Sequence, residues 1–112
     1  MESIRQQKVN KLIALELAEL LRQESKGYFH GAFISVTGVR ISADLGVAKV
    51  YVSIMQEPLR KSVMEALSKH QSFIRKKLAQ KVGKQLRVVP ELHFYIDDSL
   101  DYAMHIDTLL KH

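Results

Sequence analysis

The chain has 112 residues, with 17 Lys+Arg against 12 Asp+Glu and a formal net charge of +5, so one basic domain spanning residues 1–112 is expected. With 46% hydrophobic and 26% charged residues it is globular rather than disordered, and the absence of cysteine excludes disulfide frameworks, thiolate nucleophiles and cysteine-ligated zinc. No apolar run approaches the roughly 18 residues of a membrane span, and the opening Met1-Glu2-Ser3-Ile4-Arg5 lacks a signal peptide's apolar core, so a cytoplasmic protein without membrane contact is expected.

The first segment, roughly Ile4 to Ser25, holds no Gly or Pro and is rich in strong helix formers. Val9, Ile13, Leu17 and Leu20, flanked by Leu12 and Leu21, recur at three- and four-residue steps and form one buried stripe. Gly27, with Gly31 behind it, is expected to end this helix. From Ala32 the period becomes two. Ile34 and Val36 point one way, and beyond Gly38 the apolar positions move to Val39 and Ile41. One extra residue at a β-bulge restores the phase of such a strand. Ser42-Ala43-Asp44-Leu45-Gly46 reads as a hairpin connection, and a second strand follows with Ala48, Val50, Val52 and Ile54 on its buried face.

Pro58 suits the first turn of a helix. Helical character then continues to about Leu86, with a break expected in the weak stretch Ser68-Lys69-His70-Gln71-Ser72. Val63 and Leu67 form the buried stripe before the break, and Ile74, Leu78, Val82 and Leu86 the one after it. Val88-Val89-Pro90 stops the helix; Leu92, Phe94 and Ile96 then supply the apolar face of a third strand. Asp98 or Ser99 caps a short terminal helix, with Asp101 near its positive end. The expected class is α+β, in the order helix–strand–strand–helix–helix–strand, with helices covering one face of a three-stranded sheet.

The charge is unevenly spread. Between Lys69 and Arg87 stand seven basic residues (Lys69, Arg75, Lys76, Lys77, Lys81, Lys84 and Arg87) and no acid. On one continuous helix Lys76, Lys77, Lys81, Lys84 and Arg87 fall within an arc of about 140°, opposite the apolar stripe, with Arg75 at its border. Like charges four residues apart repel, so a one-sign face is useful chiefly against a polyanion, where neutralised phosphates release counterions. A merely solvated face and a lipid-surface helix are the competing readings, and the sheet's need for the apolar stripe counts against the second.

Signals for catalysis are weaker. His93, Asp97 and His105 are the residues a small metal-dependent hydrolase would have to use, but Asp98 and Asp101 already have a role at a helix N-terminus. No serine has a recognisably spaced base, and no Gly-rich loop has a phosphate-binding pattern. Tyr28, Tyr51, Tyr95 and Tyr102 have the chemistry to stack on bases, yet are not grouped in sequence as paired aromatics. No catalytic residue, metal or cofactor is expected.

Three stretches carry a resemblance to a known family: Val36-Thr37-Gly38-Val39-Arg40-Ile41-Ser42-Ala43-Asp44-Leu45 with Ala48-Lys49-Val50-Tyr51-Val52; Phe73-Ile74-Arg75 with Leu78; and Arg87-Val88-Val89-Pro90-Glu91-Leu92-His93-Phe94 with Asp97 and Ser99. With the basic start Arg5-Gln6-Gln7-Lys8-Val9, they make the chain resemble ribosome-binding factor A, a family with a type II KH-like domain. The resemblance implies a non-enzymatic RNA-binding protein, acting as a monomer on the small (30S) ribosomal subunit and its rRNA. It also implies a role in late maturation and rRNA processing, support of growth in the cold, and release aided by a ribosome-assembly GTPase. RNA contacts are expected from Lys76, Lys77, Lys81, Lys84 and Arg87, with Lys69, His70 and Arg75 nearby and Arg5 and Lys8 as a second patch. The alternative is a general RNA- or DNA-binding module with no ribosome preference.

The sequence departs from related patterns at one place. Ordinary KH domains carry a Gly-x-x-Gly loop and this family an Ala-x-Gly type break, whereas the aligned residues here are His70-Gln71-Ser72, without glycine's backbone freedom. His70 is expected either to contact phosphate or to cap the break. The chain ends at His112, short of the polar extension some members carry.

Overall fold

The computed structural model describes residues 2–97. In chain order it contains α1 (Ile4–Tyr28), β1 (Ile34–Ile41), β2 (Val47–Ile54), a 3₁₀ turn (Glu57–Leu59), α2 (Arg60–Lys69), α3 (Gln71–Val82) and β3 (Glu91–Ile96). The strands form one sheet in the order β1-β2-β3, with β1 antiparallel and β3 parallel to the central β2. This is the α+β order expected from the periodicities. The terminal helix expected from Asp98, Ser99 and Asp101 lies outside the described residues.

Ser3 starts α1 with a capping box: its Oγ accepts the Gln6 N–H at 3.1 Å, while its own N–H donates to Gln6 Oε1 at 2.9 Å. Val9, Ile13, Leu17, Leu20 and Leu21 are buried, as the stripe requires. The helix does not stop at Gly27. It continues to Tyr28 because Tyr28 stacks on Phe73 of α3 and Phe29 is fully buried, contacts that outweigh glycine's cost of about 1 kcal/mol in a helix. The stop comes two residues later. His30 (φ 57°) and Gly31 (φ 72°) adopt left-handed conformations, and the Gly31 N–H returns to the Ser25 carbonyl at 3.0 Å, an oxygen that also accepts the Phe29 N–H at 2.9 Å.

In β1 the register passes from Val36↔Val52 to Gly38↔Tyr51, leaving Thr37 as the extra residue of a bulge. Ile34, Val39 and Ile41 are thereby buried on the face shared with Ala48, Val50, Val52 and Ile54. In the hairpin, the Asp44 carboxylate accepts the Ser42 hydroxyl at 2.6 Å and the Gly46 N–H at 3.0 Å. These bonds, the Ser42 one foremost, hold the Asp44 carboxyl below the usual aspartate range.

Two helix boundaries bear on function. The break between α2 and α3 falls at His70, whose φ of −100° and ψ of 19° are open to any L-residue, so the turn needs no glycine. The second boundary corrects the expectation of a helix running to Leu86: α3 ends at Val82. Beyond it Gln85 and Leu86 both donate to the Val82 carbonyl, at 2.9 and 2.8 Å, in a closing turn. The chain has to reverse here so that the Glu91 N–H reaches the Gly46 carbonyl at 2.9 Å and β3 can lie beside β2. Leu86 still packs against the core, now from the loop. Along the edge strand β3, burial falls from Leu92 at 0% exposure to Ile96 at 41%, so Ile96 is not the core residue expected.

Gly27 tests the balance at the end of α1. A Cβ there meets nothing within 4 Å, so Gly27→Ala is expected to raise stability by about 0.5–1 kcal/mol, whereas Gly31→Ala, at positive φ, lowers it by about 1 kcal/mol in urea titrations. The hairpin predicts a pH effect. Because the folded-state pKa of Asp44 is depressed, its stabilisation is present above the ordinary value of 3.8 and is lost as pH falls through the lower folded value. Asp44→Ala therefore lowers the urea midpoint at neutral pH, and its difference from the parent shrinks as pH falls below 3.8.

Candidate nucleic-acid interface

The ten basic positions singled out in the sequence do not form one stripe. Arg75, Lys76, Lys77 and Lys81 are on α3, whereas Lys84 and Arg87 follow it in the turn and loop leading to β3. The expected arc of five cations on one helix is therefore incorrect, for the reason that ends α3 at Val82.

Packing divides the cations further. α1 and α3 meet at two levels: the Tyr28 and Phe73 rings stack with centroids 4.6 Å apart, and Lys81 lies close enough to Glu19 to act on its charge. The Glu19 carboxyl is held below the usual range first by the Arg22 hydrogen bond at 2.8 Å and only in last place by Lys81. Lys77 belongs to the same border, with Nζ 5.7 Å from the centre of the Phe73 ring, a cation–π distance. The run that is acid-free in sequence thus has an acid beside it in space, contributed by α1.

Arg75, Lys76 and Arg87 take the other side. With Ser72, Ala79 and Gly83 they line an open cleft of about 530 Å³ between α3 and the segment returning to β3. Arg75 also braces the cleft: its Nε and Nη2 both donate to the Val89 carbonyl, at 3.1 and 2.7 Å. That bond spends part of its donor capacity on structure, a role its place at the stripe's border did not reveal. Gly83 has a steric reason here, since a Cβ would meet the Ala79 carbonyl oxygen at 2.8 Å.

Lys69 occupies the last turn of α2, where a cation also favours the negative end of the helix. His70 makes no side-chain cap; its half-buried ring packs edge-on against Tyr28, centroids 5.0 Å apart. Beside this break a smaller cleft of about 200 Å³ opens towards the edge of β3, lined by Ser68, Gln71, His93 and Tyr95. Arg5 and Lys8 are exposed on the first turns of α1. Gln6 and Asn10 pin that end of α1 to Ile41 of the hairpin, and Glu91 binds the same hairpin at Gly46, so Arg5 and Lys8 share one end of the fold with the Arg87 segment.

The residues weighed for metal chemistry are employed otherwise or fall outside the described residues. His93 Nε2 lies 3.4 Å from Glu91 Oε1, Asp97 accepts the Thr37 hydroxyl at 2.6 Å, and His105 is beyond residue 97. Among the described residues no group of three or more His, Asp or Glu is placed to hold a metal ion. Chemically, the cleft of Arg75, Lys76 and Arg87 presents exposed cations, side chains of the kind that contact phosphates.

One pairing escaped the sequence reading: Tyr51 and Tyr95 are neighbours on adjacent strands, with ring centroids 5.7 Å apart. The parallel register of β3 on β2 creates this pair, and nothing local in either strand signals it.

Comparison with known proteins agrees with this architecture. A crystal structure of ribosome-binding factor A from Thermus thermophilus superposes with a TM-score of 0.69 at 25% identity, covering 81% of this chain and 94% of the other. A homology model of the T. thermophilus factor, fitted into the cryo-EM map of a 30S–RbfA complex, gives a TM-score of 0.60 at 27% identity over 78% of this chain and 93% of its own. Ribosome-binding factor A of Cytophaga hutchinsonii is 46% identical over 99% of this chain and 84% of the relative. That of Chlorobaculum tepidum is 43% identical, over 97% and 90%. The family model described as "Ribosome-binding factor A" matches residues 5–110, and the chain belongs to this family.

Proposed function

We propose that this protein binds the small (30S) ribosomal subunit through its rRNA and assists late subunit maturation and rRNA processing, without catalysis of its own. The observation that carries the reading is the convergence of Arg75, Lys76 and Arg87 on one open cleft, beside Lys77 and Lys81 on the next face of α3. Mutual repulsion makes such a cluster unfavourable in isolation, and a phosphate backbone removes that penalty while releasing counterions. The relatives' name, and the fitting of a T. thermophilus homologue into a 30S complex map, support the ribosomal subunit as the partner.

In this reading the protein is a single cytoplasmic KH-like domain that acts as a monomer. Lys76, Lys77, Lys81, Lys84 and Arg87 contact phosphates, with Lys69, His70 and Arg75 flanking them. Arg5 and Lys8 extend the surface at the hairpin end. The break at His70 replaces the glycine-bearing loop, and rRNA backbone approaches the cleft beside it. A ribosome-assembly GTPase aids release, and maturation is most dependent on the protein in the cold.

Reversing Lys77, Lys81 and Lys84 to Glu is expected to abolish co-sedimentation with small subunits while far-ultraviolet circular dichroism stays unchanged. Subunit binding that survives the triple change overturns the assigned surface. Removing three phosphate contacts also reduces the slope of log K against log salt by about 2 in magnitude for a single-stranded target. In a fractionated lysate the protein concentrates with small subunits; an even spread over RNA-containing fractions would identify a general nucleic-acid binder instead.

A further inference from the structure

The outer face of the sheet, turned away from the helices, carries side chains that the α3 surface leaves unexplained. The register aligns Gly38, Tyr51 and Tyr95 in one row across the three strands, and Arg40, Lys49 and His93 in the next. The two tyrosine rings are inclined by only 30°, and Tyr95 is 44% exposed. Gly38 adds no side chain beside Tyr51, and a Cβ there would meet nothing within 4 Å, so the platform is open on the β1 side. An open hollow of about 610 Å³, lined by Arg40, Val47, Lys49 and Tyr51 among others, adjoins it.

Arg40 directly opposite Lys49 is costly as it stands, because like charges facing each other destabilise a sheet. The nearby carboxylates face other partners than Arg40 and Lys49: Glu91 lies 3.4 Å from His93, and Asp97 accepts from Thr37 at 2.6 Å. Among the described residues neither Arg40 nor Lys49 has an ion-pair partner. Partly exposed aromatic rings next to cations without an ion-pair partner among the described residues match a ligand with flat rings on an anionic backbone. The face is also continuous with the interface described above, since Tyr95 lines the cleft beside the α2–α3 break as well.

We propose that Tyr51 and Tyr95 form a stacking platform for unpaired rRNA nucleotides, with Arg40 and Lys49 holding the adjoining phosphates. The inference rests on the rRNA reading and adds a second surface to it, reached by a strand passing round the edge of β3. Every base has a π-face, so the platform tolerates sequence variation, but bases already stacked within a duplex cannot use it. Single-stranded segments are therefore selected.

The test uses the full chain and a labelled single-stranded decauridylate, with binding followed by fluorescence anisotropy. Tyr51→Ala and Tyr95→Ala are each expected to weaken binding by about five- to a hundredfold, while Tyr51→Phe and Tyr95→Phe retain it and a blunt RNA hairpin binds all four variants like the parent. Arg40→Gln with Lys49→Gln weakens decauridylate binding and flattens its salt dependence, a readout independent of any change in ring packing. Ala variants with native circular dichroism and parental affinity for decauridylate overturn the platform. So does crosslinking of this face to a ribosomal protein alone, which would make it a protein-docking surface. The Lys77, Lys81 and Lys84 reversal is measured in parallel. If it loses subunits while the tyrosine variants behave as parent, only the platform falls; if the parent binds neither decauridylate nor subunits, the rRNA reading falls with it.

Discussion

Thr37, the one residue of β1 left out of the strand register with β2, keeps one face of the sheet apolar from Ile34 to Ile41. Side chains alternate along a strand, so without the extra residue Val39 and Ile41 would turn outward and Arg40 inward, towards α1. With it, Ile34, Val39 and Ile41 join Ala48, Val50, Val52 and Ile54 in a single core that has no buried polar or charged side chain among the described residues. The same shift has a second result. It places Gly38 beside Tyr51 and Arg40 beside Lys49 on the solvent face, so core and outer surface derive from one irregularity.

The helices cover only the apolar side, and the way they pack distributes the charge. α3 is held by α1 along one flank, through Tyr28 on Phe73, and by the returning segment along the other, through Arg75 on the Val89 carbonyl. Each flank takes some of the cations with it. Glu19 moderates the charge on the α1 side, whereas among the described residues no acid lines the cleft of Arg75, Lys76 and Arg87. Repulsion between cations is spread over two flanks and a loop, which lowers its cost to the helix itself.

What the sequence makes legible follows from the range of the interaction that decides it. The alternation in β1 and β2, the bulge near Gly38 and the break near His70 are set by residues within a few positions of each other, and the pattern displays them. The end of α1 is different. Gly27 is a strong local stop signal, yet burial of Phe29 and the stack of Tyr28 on a residue of another helix override it. The end of α3 at Val82 depends on where β3 must start, a constraint imposed by Gly46 of the hairpin. The candidate interface inherits that difference. Its residue types were readable from the acid-free run, but its shape was not, since the continuous arc assumed a helix that the chain reversal ends. The Tyr51–Tyr95 pair lies further still from local signals, because it needs the register of two strands that are distant in sequence.

In the proposed reading the α3 cations and the sheet-face tyrosines, the latter flanked by Arg40 and Lys49, divide recognition between two kinds of contact. In that reading, phosphate contacts at α3 supply affinity that is long-ranged, salt-dependent and indifferent to base pairing. Stacking on the sheet face is short-ranged and weakly dependent on salt, and it is available only to bases released from a helix. A surface of the first kind alone would hold folded and unfolded rRNA nearly equally, since both carry the same phosphates. Adding the second makes binding respond to the state of the RNA: a strand that pairs and stacks on itself withdraws its bases from the tyrosines while its phosphates remain attractive. In that reading the protein loses part of its hold as its target folds, which would favour an immature subunit over a finished one. Neither surface draws on the core for its side chains, so this discrimination can be tuned without loss of the fold.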